Sequence, residues 1–208
     1  MHKRTARRLF SIHCLQVRTL LNVLGPLLNP AGATRLVLGV YRPSLLSVYA
    51  DALIALGSVE HALIVHCGGL DELAPIGPAD VAEVQRRSSP APGERLFDCS
   101  YTTLDPKDWG VPRCTIADLV GGGPVENAKT LRAVLAGGAG LATDSTCSGH
   151  VGRTIALNAG AALYVAGRAS SVADGYGIAL SGLCSGSGLV KLDQWVRTTN
   201  QIAAGNVC

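Results

Sequence analysis

Two adjacent acidic residues, Asp71 and Glu72, are the first candidates for chemistry in this sequence. They lie in the string GGLDELAP (68–75), directly after the apolar run HALIVHC (61–67). Such a run predicts a buried strand, and open α/β sheets bind ligands beyond the carboxyl ends of their parallel strands. The two glycines would allow close backbone approach, and paired carboxylates suit Mg²⁺, which prefers oxygen ligands and often shares them with phosphate. The pair fits a solvated turn as well as a metal site, and spacing alone does not separate the two.

A second candidate, Arg18, begins the apolar string RTLLNVLGPLLNP (18–30). It fits a surface arginine that leads into a helix. It equally fits a binding residue, because the planar guanidinium can hold a carboxylate through two parallel hydrogen bonds. In that case the apolar residues behind it would form a wall for a flat aromatic ring.

Other motifs give weaker signals. We interpret His66, at the end of the predicted strand, as a structural residue, with catalysis as the alternative. The glycine run at 121–123 has no strong strand before it, which favours a loop at a helix start over a phosphate cradle. The sequence contains no GxSxG, Walker or GxGxxG motif.

The elements around these residues predict an α/β fold. A strand at 35–41, a helix at 43–57 and a strand at 61–67 indicate a right-handed parallel crossover. Two further strands, at 80–84 and 95–101, flank a Pro/Ser/Gly turn and predict an antiparallel hairpin. Helices are predicted at 121–138, 153–168 and, as one glycine-weakened helix, 170–200, with a polar loop at 140–150. The expected architecture is a mostly parallel central sheet with flanking helices and an antiparallel hairpin.

Composition excludes several classes of protein. The chain has 208 residues, of which 48% are apolar, and a net charge of only +3. The small charge and the absence of a basic stripe argue against nucleic acid as a partner. No apolar run reaches the ~20 residues needed to span a membrane. The seven cysteines include no CxxC pair, which favours reduced thiols. Residues 1–15 are basic and acid-free, as in a basic tail or a targeting segment.

Four strings in one order carry a resemblance to a known family. They are RTLLNVLGPLLNPAGATRLVLGVY, VHCGGLDELAPIGP, GGGPVENAKTLRAVLAG and LNAGAALYVAG, and together they resemble anthranilate phosphoribosyltransferase. That family transfers phosphoribosyl from phosphoribosyl pyrophosphate to anthranilate in tryptophan biosynthesis, releasing pyrophosphate. The resemblance implies a partial nucleoside phosphorylase/phosphoribosyltransferase-type α/β domain. It also implies that Arg18 binds anthranilate, that Asp71 and Glu72 bind Mg²⁺, and that no side chain need be assigned as a general base.

The sequence also departs from that family. The family's N-terminal helical domain and its glycine-rich pyrophosphate loop have no counterpart here. We therefore expect residues 1–15 to be a basic tail of uncertain status and 16–208 to be the partial C-terminal α/β domain, with little or no transferase activity alone. Full-length relatives are homodimeric, and the dimer-forming helical domain is absent from this sequence. The pathway implies a plastid location in a photosynthetic eukaryote and a cytoplasmic one otherwise.

Two alternatives remain open at the level of sequence. The chain could be a non-catalytic remnant or subunit of the same fold, since its catalytic set is incomplete. A pyrimidine nucleoside phosphorylase relative would share the fold, although the LGPLxNP string argues against it. Ligand choice separates these readings, because a phosphorylase binds uridine or thymidine in place of anthranilate.

Overall fold

The computed structural model describes residues 25–27, 29, 31–89, 91–138 and 147–205. The chain divides into two compact units, Met1–Ala33 and Thr34–Cys208. The described part of the first unit includes a short 3-10 helix, Gly25–Leu27. The described elements of the second unit are β1 Arg35–Gly39, α1 Leu45–Leu56, β2 His61–His66, β3 Ala79–Arg86, β4 Phe97–Leu104, α2 Pro124–Ala136, α3 Cys147–Val165, α4 Val172–Cys184 and α5 Ser187–Ala203, with 3-10 helices Pro106–Trp109 and Ile116–Leu119.

The four strands form one sheet in the order β1-β2-β3-β4. β1 and β2 are parallel, and β3 is antiparallel to both β2 and β4. The predicted parallel crossover, the flanking helices and the antiparallel hairpin are therefore confirmed. In the part of the chain that the structure describes, one strand pair is parallel and two are antiparallel, so the sheet is mixed there rather than mostly parallel. The reason lies between β2 and β3, where the chain returns without a crossover helix, and such a return makes the next strand antiparallel.

Strand β2 lies inside the sheet, and all six of its residues are buried. Successive side chains of a strand point to opposite faces, so β2 contributes to two layers. Leu63 and Val65 join a core cluster with Ala156 and Leu157 of α3. Helix α1 packs against β2 and β3, and its buried residues lie outside that cluster, which places α1 on the other face. The sheet is thus covered by α1 on one side and by α3 with α4 on the other.

Helices α3 and α4 meet at two glycines. A Cβ atom on Gly160 would overlap the backbone of Tyr176, and one on Gly175 would overlap the carbonyl group of Gly160. Only the absence of a side chain lets the two backbones approach this closely. This crossing fixes α3, which carries side chains toward the carboxyl edge of the sheet.

Two predicted boundaries need correction. The polar loop predicted at 140–150 ends earlier, because α3 already begins at Cys147. The single helix predicted over 170–200 is two helices, α4 and α5, since Gly186 adopts a left-handed φ of 73° between them. Among the helices that the structure describes, none has the length and apolar character needed to cross a bilayer.

Candidate functional site

The acidic pair lies in a loop that leaves the carboxyl end of β2. His66, the last residue of that strand, is 7% exposed and connects the loop to the end of β1. Its Nδ1–H donates to the carbonyl oxygen of Val40 at 2.8 Å, and its Nε2 accepts from the backbone N–H of Gly69 at 3.3 Å. These two partners require the neutral ring with its proton on Nδ1. His66 therefore has a positioning role, in agreement with the structural interpretation made from the sequence.

The glycine pair forms a tight turn. Cys67 and Leu70 exchange two backbone hydrogen bonds, at 3.0 and 2.9 Å, across Gly68 and Gly69. Both glycines have positive φ, 55° and 93°, which side-chain-bearing residues rarely adopt. The sequence suggested that these glycines allow close approach to a ligand, whereas in the structure they serve the turn that reverses the chain.

Beyond the turn, the loop packs directly on the end of β1. A Cβ atom on Gly39 would overlap the backbone carbonyl of Asp71. Glycine is therefore required at the last position of β1 for the loop to take this path. The contact places Asp71 and Glu72 at the carboxyl edge of the parallel strand pair, where the sequence predicted them.

An asparagine on α3 holds the loop from the other side. The side-chain amide of Asn158 accepts from the N–H of Leu73 at 3.0 Å and donates to the carbonyl oxygen of Leu73 at 2.8 Å. The same Nδ2 donates to Thr154 O at 2.9 Å, which orients the amide. Asn158 was not singled out from the sequence, so this role was missed. The available signal was its place in the LNAG string, one of the four that carry the resemblance.

Asp71 and Glu72 are exposed, so their carboxylates are open to a ligand. Partial burial raises the pKa of the Glu72 carboxyl, and the neighbouring Asp71 carboxylate raises it further. A cation bound between them would offset this repulsion. Within the described ranges, no group of three or more His, Cys, Asp or Glu side chains could hold a metal ion. The candidate donors at this edge are the two carboxylates of Asp71 and Glu72, and a Mg²⁺ ion with so few protein ligands would keep waters and take further oxygens from a substrate.

Comparison with known proteins places the chain in a protein family. The family model described as "Glycosyl transferase family, a/b domain" matches residues 1–189. This chain belongs to that family. Within the family it is 37% identical over 183 residues to the anthranilate phosphoribosyltransferase of Syntrophotalea carbinolica, covering 88% of this chain and 47% of that protein. It is 42% identical over 180 residues to the enzyme of the same name from Shewanella loihica, covering 86% and 46%.

Solved structures of the glycosyl transferase family give the same picture. The anthranilate phosphoribosyltransferase of Thermus thermophilus superposes with a TM-score of 0.70 at 37% identity, covering 88% of this chain and 48% of that one. The Saccharomyces cerevisiae enzyme, solved in complex with PRPP and Mg, superposes with a TM-score of 0.73 at 25% identity, covering 91% and 50%. The resemblance to anthranilate phosphoribosyltransferase is thus confirmed, and the chain spans about half the length of the relatives it matches.

Arg18 lies outside the described residues. Its convergence with Asp71 and Glu72 at one edge of the sheet therefore stays a prediction. The structure places the loop that carries Asp71 and Glu72 at this edge, and it adds His66, Gly39 and Asn158 as residues that hold the loop.

The glycine run at 121–123 is not a free phosphate cradle. The N–H of Gly122 donates to Asn127 Oδ1 at 2.8 Å, and the N–H of Gly123 donates to Glu126 Oε2 at 2.9 Å. These side chains cap the start of α2, where Pro124 occupies the first turn. The interpretation as a helix start is confirmed, because the backbone donors that would bind phosphate are already used within the chain.

Proposed function

We propose that this chain is the α/β part of an anthranilate phosphoribosyltransferase. It joins the anthranilate nitrogen to C1 of phosphoribosyl pyrophosphate and releases pyrophosphate. The observation that supports this most strongly is the acidic loop. It carries Asp71 and Glu72 at the carboxyl end of a parallel strand pair, and its backbone is held by Gly39, His66 and Asn158. The similarity to enzymes of that name supplies the substrates.

Asp71 and Glu72 would hold Mg²⁺. The fit rests on the donor set, two neighbouring carboxylates; partial burial, and then the charge of Asp71, raise the pKa of Glu72. Bound there, Mg²⁺ stabilises the negative charge of a pyrophosphate leaving group. The protein's own part is to keep both acids at one place, since His66 and Asn158 fix the backbone on either side of them.

Arg18 would bind the anthranilate carboxylate through its planar fork of donors. The apolar residues that follow it in the sequence would face the aromatic ring. The aniline-type nitrogen is already nucleophilic, so alignment contributes more than proton removal. No residue of this chain is therefore assigned as a general base.

Ligand binding tests the proposal without requiring turnover. We expect anthranilate to raise the midpoint of thermal unfolding, and phosphoribosyl pyrophosphate to raise it only when Mg²⁺ is present. In an Asp71→Asn variant, phosphoribosyl pyrophosphate should no longer raise the midpoint, even when Mg²⁺ is present. Arg18→Gln should lose only the response to anthranilate. Asp51→Asn, a change to an exposed carboxylate on α1, is the matched control. Stabilisation by uridine or thymidine and not by anthranilate would instead identify a nucleoside phosphorylase relative.

A turnover assay separates an active enzyme from a non-catalytic subunit of the same fold. We expect the purified chain to release little or no pyrophosphate from phosphoribosyl pyrophosphate in the presence of anthranilate. Rates near those of full-length relatives would contradict that expectation and support full transferase activity. Binding of both substrates without turnover favours a part that needs further polypeptide.

A further inference from the structure

A cavity lies on the face of the sheet that α3 and α4 cover, and the acidic loop does not line it. Its volume is about 240 Å³. The lining combines apolar side chains, two aromatic rings and a few polar groups: Leu63, Val81, Glu83, Thr102, Leu104, Trp109, Tyr164, Ser171, Val172 and Ala173. Asp71 and Glu72 are not among the lining residues, so this cavity is not the proposed metal site. Nothing in the proposed transferase reaction uses it.

A charged cluster forms one wall of the cavity. Oε1 of Glu83 accepts from the hydroxyl group of Tyr164 at 2.8 Å and from Nε2 of His61 at 2.7 Å. The His61 ring meets the Tyr164 ring edge-on, with centroids 5.0 Å apart. The His61 hydrogen bond, and then that of Tyr164, lower the pKa of Glu83. The carboxylate is therefore ionised, although only 22% of its side chain is exposed.

Tyr164 acts in this cluster as a fixed donor. Burial, and then its hydrogen bond to Glu83, raise the pKa of Tyr164 to about 12. Its hydroxyl group therefore stays protonated over the ordinary pH range and donates a hydrogen bond to Oε1 of Glu83. The second oxygen, Glu83 Oε2, has no hydrogen-bond partner among the residues that the structure describes. Oε2 is not among the fully buried atoms that lack a partner, so it is open to the cavity or to solvent and can accept a hydrogen bond from a cationic ligand.

Most of the other side chains that line the cavity are apolar or aromatic, and they determine what kind of molecular body the ligand can have. Leu63, Val81 and Leu104 supply apolar surface, while Trp109 and Tyr164 supply aromatic rings. Aromatic faces attract organic cations, and apolar walls with one charged group are typical of small-molecule sites. We propose that this cavity binds a small organic cation, an ammonium group on an apolar or aromatic body, with the ammonium group against Oε2 of Glu83.

The test uses the 208-residue chain and two probes of the same shape. Benzylammonium carries the charge, and benzyl alcohol is its neutral counterpart. Titration calorimetry, with ligand-observed NMR for weak binding, measures both affinities. We expect benzylammonium to bind at least about tenfold more tightly, as a charge-assisted hydrogen bond in a partly buried site implies.

Three variants locate the binding. Glu83→Gln keeps an oxygen acceptor for Tyr164 but removes the charge, so benzylammonium should lose about tenfold in affinity while benzyl alcohol changes little. Ala173→Leu fills the cavity from the first turn of α4 and should abolish binding of both probes. Asp51→Asn removes an exposed carboxylate from α1 on the opposite face and should change neither.

Clear results would overturn the proposal. Equal affinity for the two probes would show that Glu83 does not select a cation. Benzylammonium binding that survives in Ala173→Leu would place it elsewhere on the protein, and the absence of saturable binding would leave the cavity without the proposed ligand class. The comparison of probes on the unmodified chain, together with Ala173→Leu, decides the matter even if Glu83→Gln fails to fold. Neither comparison depends on anthranilate, phosphoribosyl pyrophosphate or Mg²⁺.

Discussion

Replacing Asn158 by alanine should both destabilise the protein and weaken Mg²⁺ binding. Its side-chain amide makes two hydrogen bonds to the backbone of Leu73, a residue that is 1% exposed. After the substitution, the N–H and the carbonyl group of Leu73 lose their partners in a place with little access to water. Leaving a buried polar group unsatisfied costs ~1–3 kcal/mol each. Alanine returns about 0.5 kcal/mol through its better helix propensity. We therefore expect a loss of roughly 1.5–5.5 kcal/mol in the free energy of unfolding.

The same substitution frees the backbone next to Glu72. Residues that orient metal ligands typically contribute 10–100-fold to metal affinity. We expect Asn158→Ala to weaken Mg²⁺ binding in the presence of phosphoribosyl pyrophosphate by about tenfold or more. Urea denaturation measures the stability, and isothermal titration of Mg²⁺ measures the affinity.

Asn127→Ala is a closely matched control. Asn127 is also a helix asparagine with two hydrogen bonds to one backbone unit, to the N–H and the carbonyl oxygen of Gly122. Gly122 is exposed, so water can replace the lost partners. We expect a cost of about 1 kcal/mol, as for the loss of a helix cap, and an unchanged Mg²⁺ affinity. If the two variants cost equally, or if Asn158→Ala leaves Mg²⁺ affinity intact, Asn158 does not hold the acidic loop as described.

Three further predictions concern the loop and the cavity. Gly39→Ala should displace Asp71 and lower both stability and Mg²⁺ affinity, whereas Gly177→Ala, where a Cβ meets open space, should stabilise by about 0.5–1 kcal/mol in urea melts. Because the pKa of Glu72 is raised, the metal-free chain should lose stability as the pH rises through that pKa. Mg²⁺ affinity, measured by calorimetry, should fall as the pH drops below the same pKa. In Glu72→Gln both pH dependences should flatten. Ultraviolet titration should show that Tyr164 ionises near pH 12, and ionisation near its ordinary value of 10.0 would contradict the hydrogen bond described.

The position of the acidic pair could be predicted from the sequence because its signals are local. An apolar run predicts β2, and the GGLDE string follows it directly, so the loop had to lie at the strand's carboxyl end. The crossover and the hairpin were predictable for the same reason, because each is formed by apolar runs and turn residues that follow one another directly in the sequence. The antiparallel return from β2 to β3 was not, because periodicity alone does not give the direction of a strand.

The residues that fix the loop were harder to predict. Asn158 and Leu73 are 85 positions apart, and no local pattern links them. The overlap between Gly39 and Asp71 is a contact between two backbones, which composition does not reveal. The start of α3 at Cys147 was missed because residues 140–150 lack apolar periodicity. Glu83 was overlooked because an acid in an alternating strand normally indicates a solvent-facing position.

Helix α3 links the acidic loop to the cavity, because it carries one residue that contacts the loop and another that lines the cavity. Asn158, which fixes the acidic loop, and Tyr164, in the wall of the cavity, are six residues apart, or ~9 Å along the axis. Gly160 lies between them and is locked against α4. A change that rotates α3 would move Asn158 and Tyr164 together. A variant that reshapes the cavity should therefore also be checked for changes at the acidic loop.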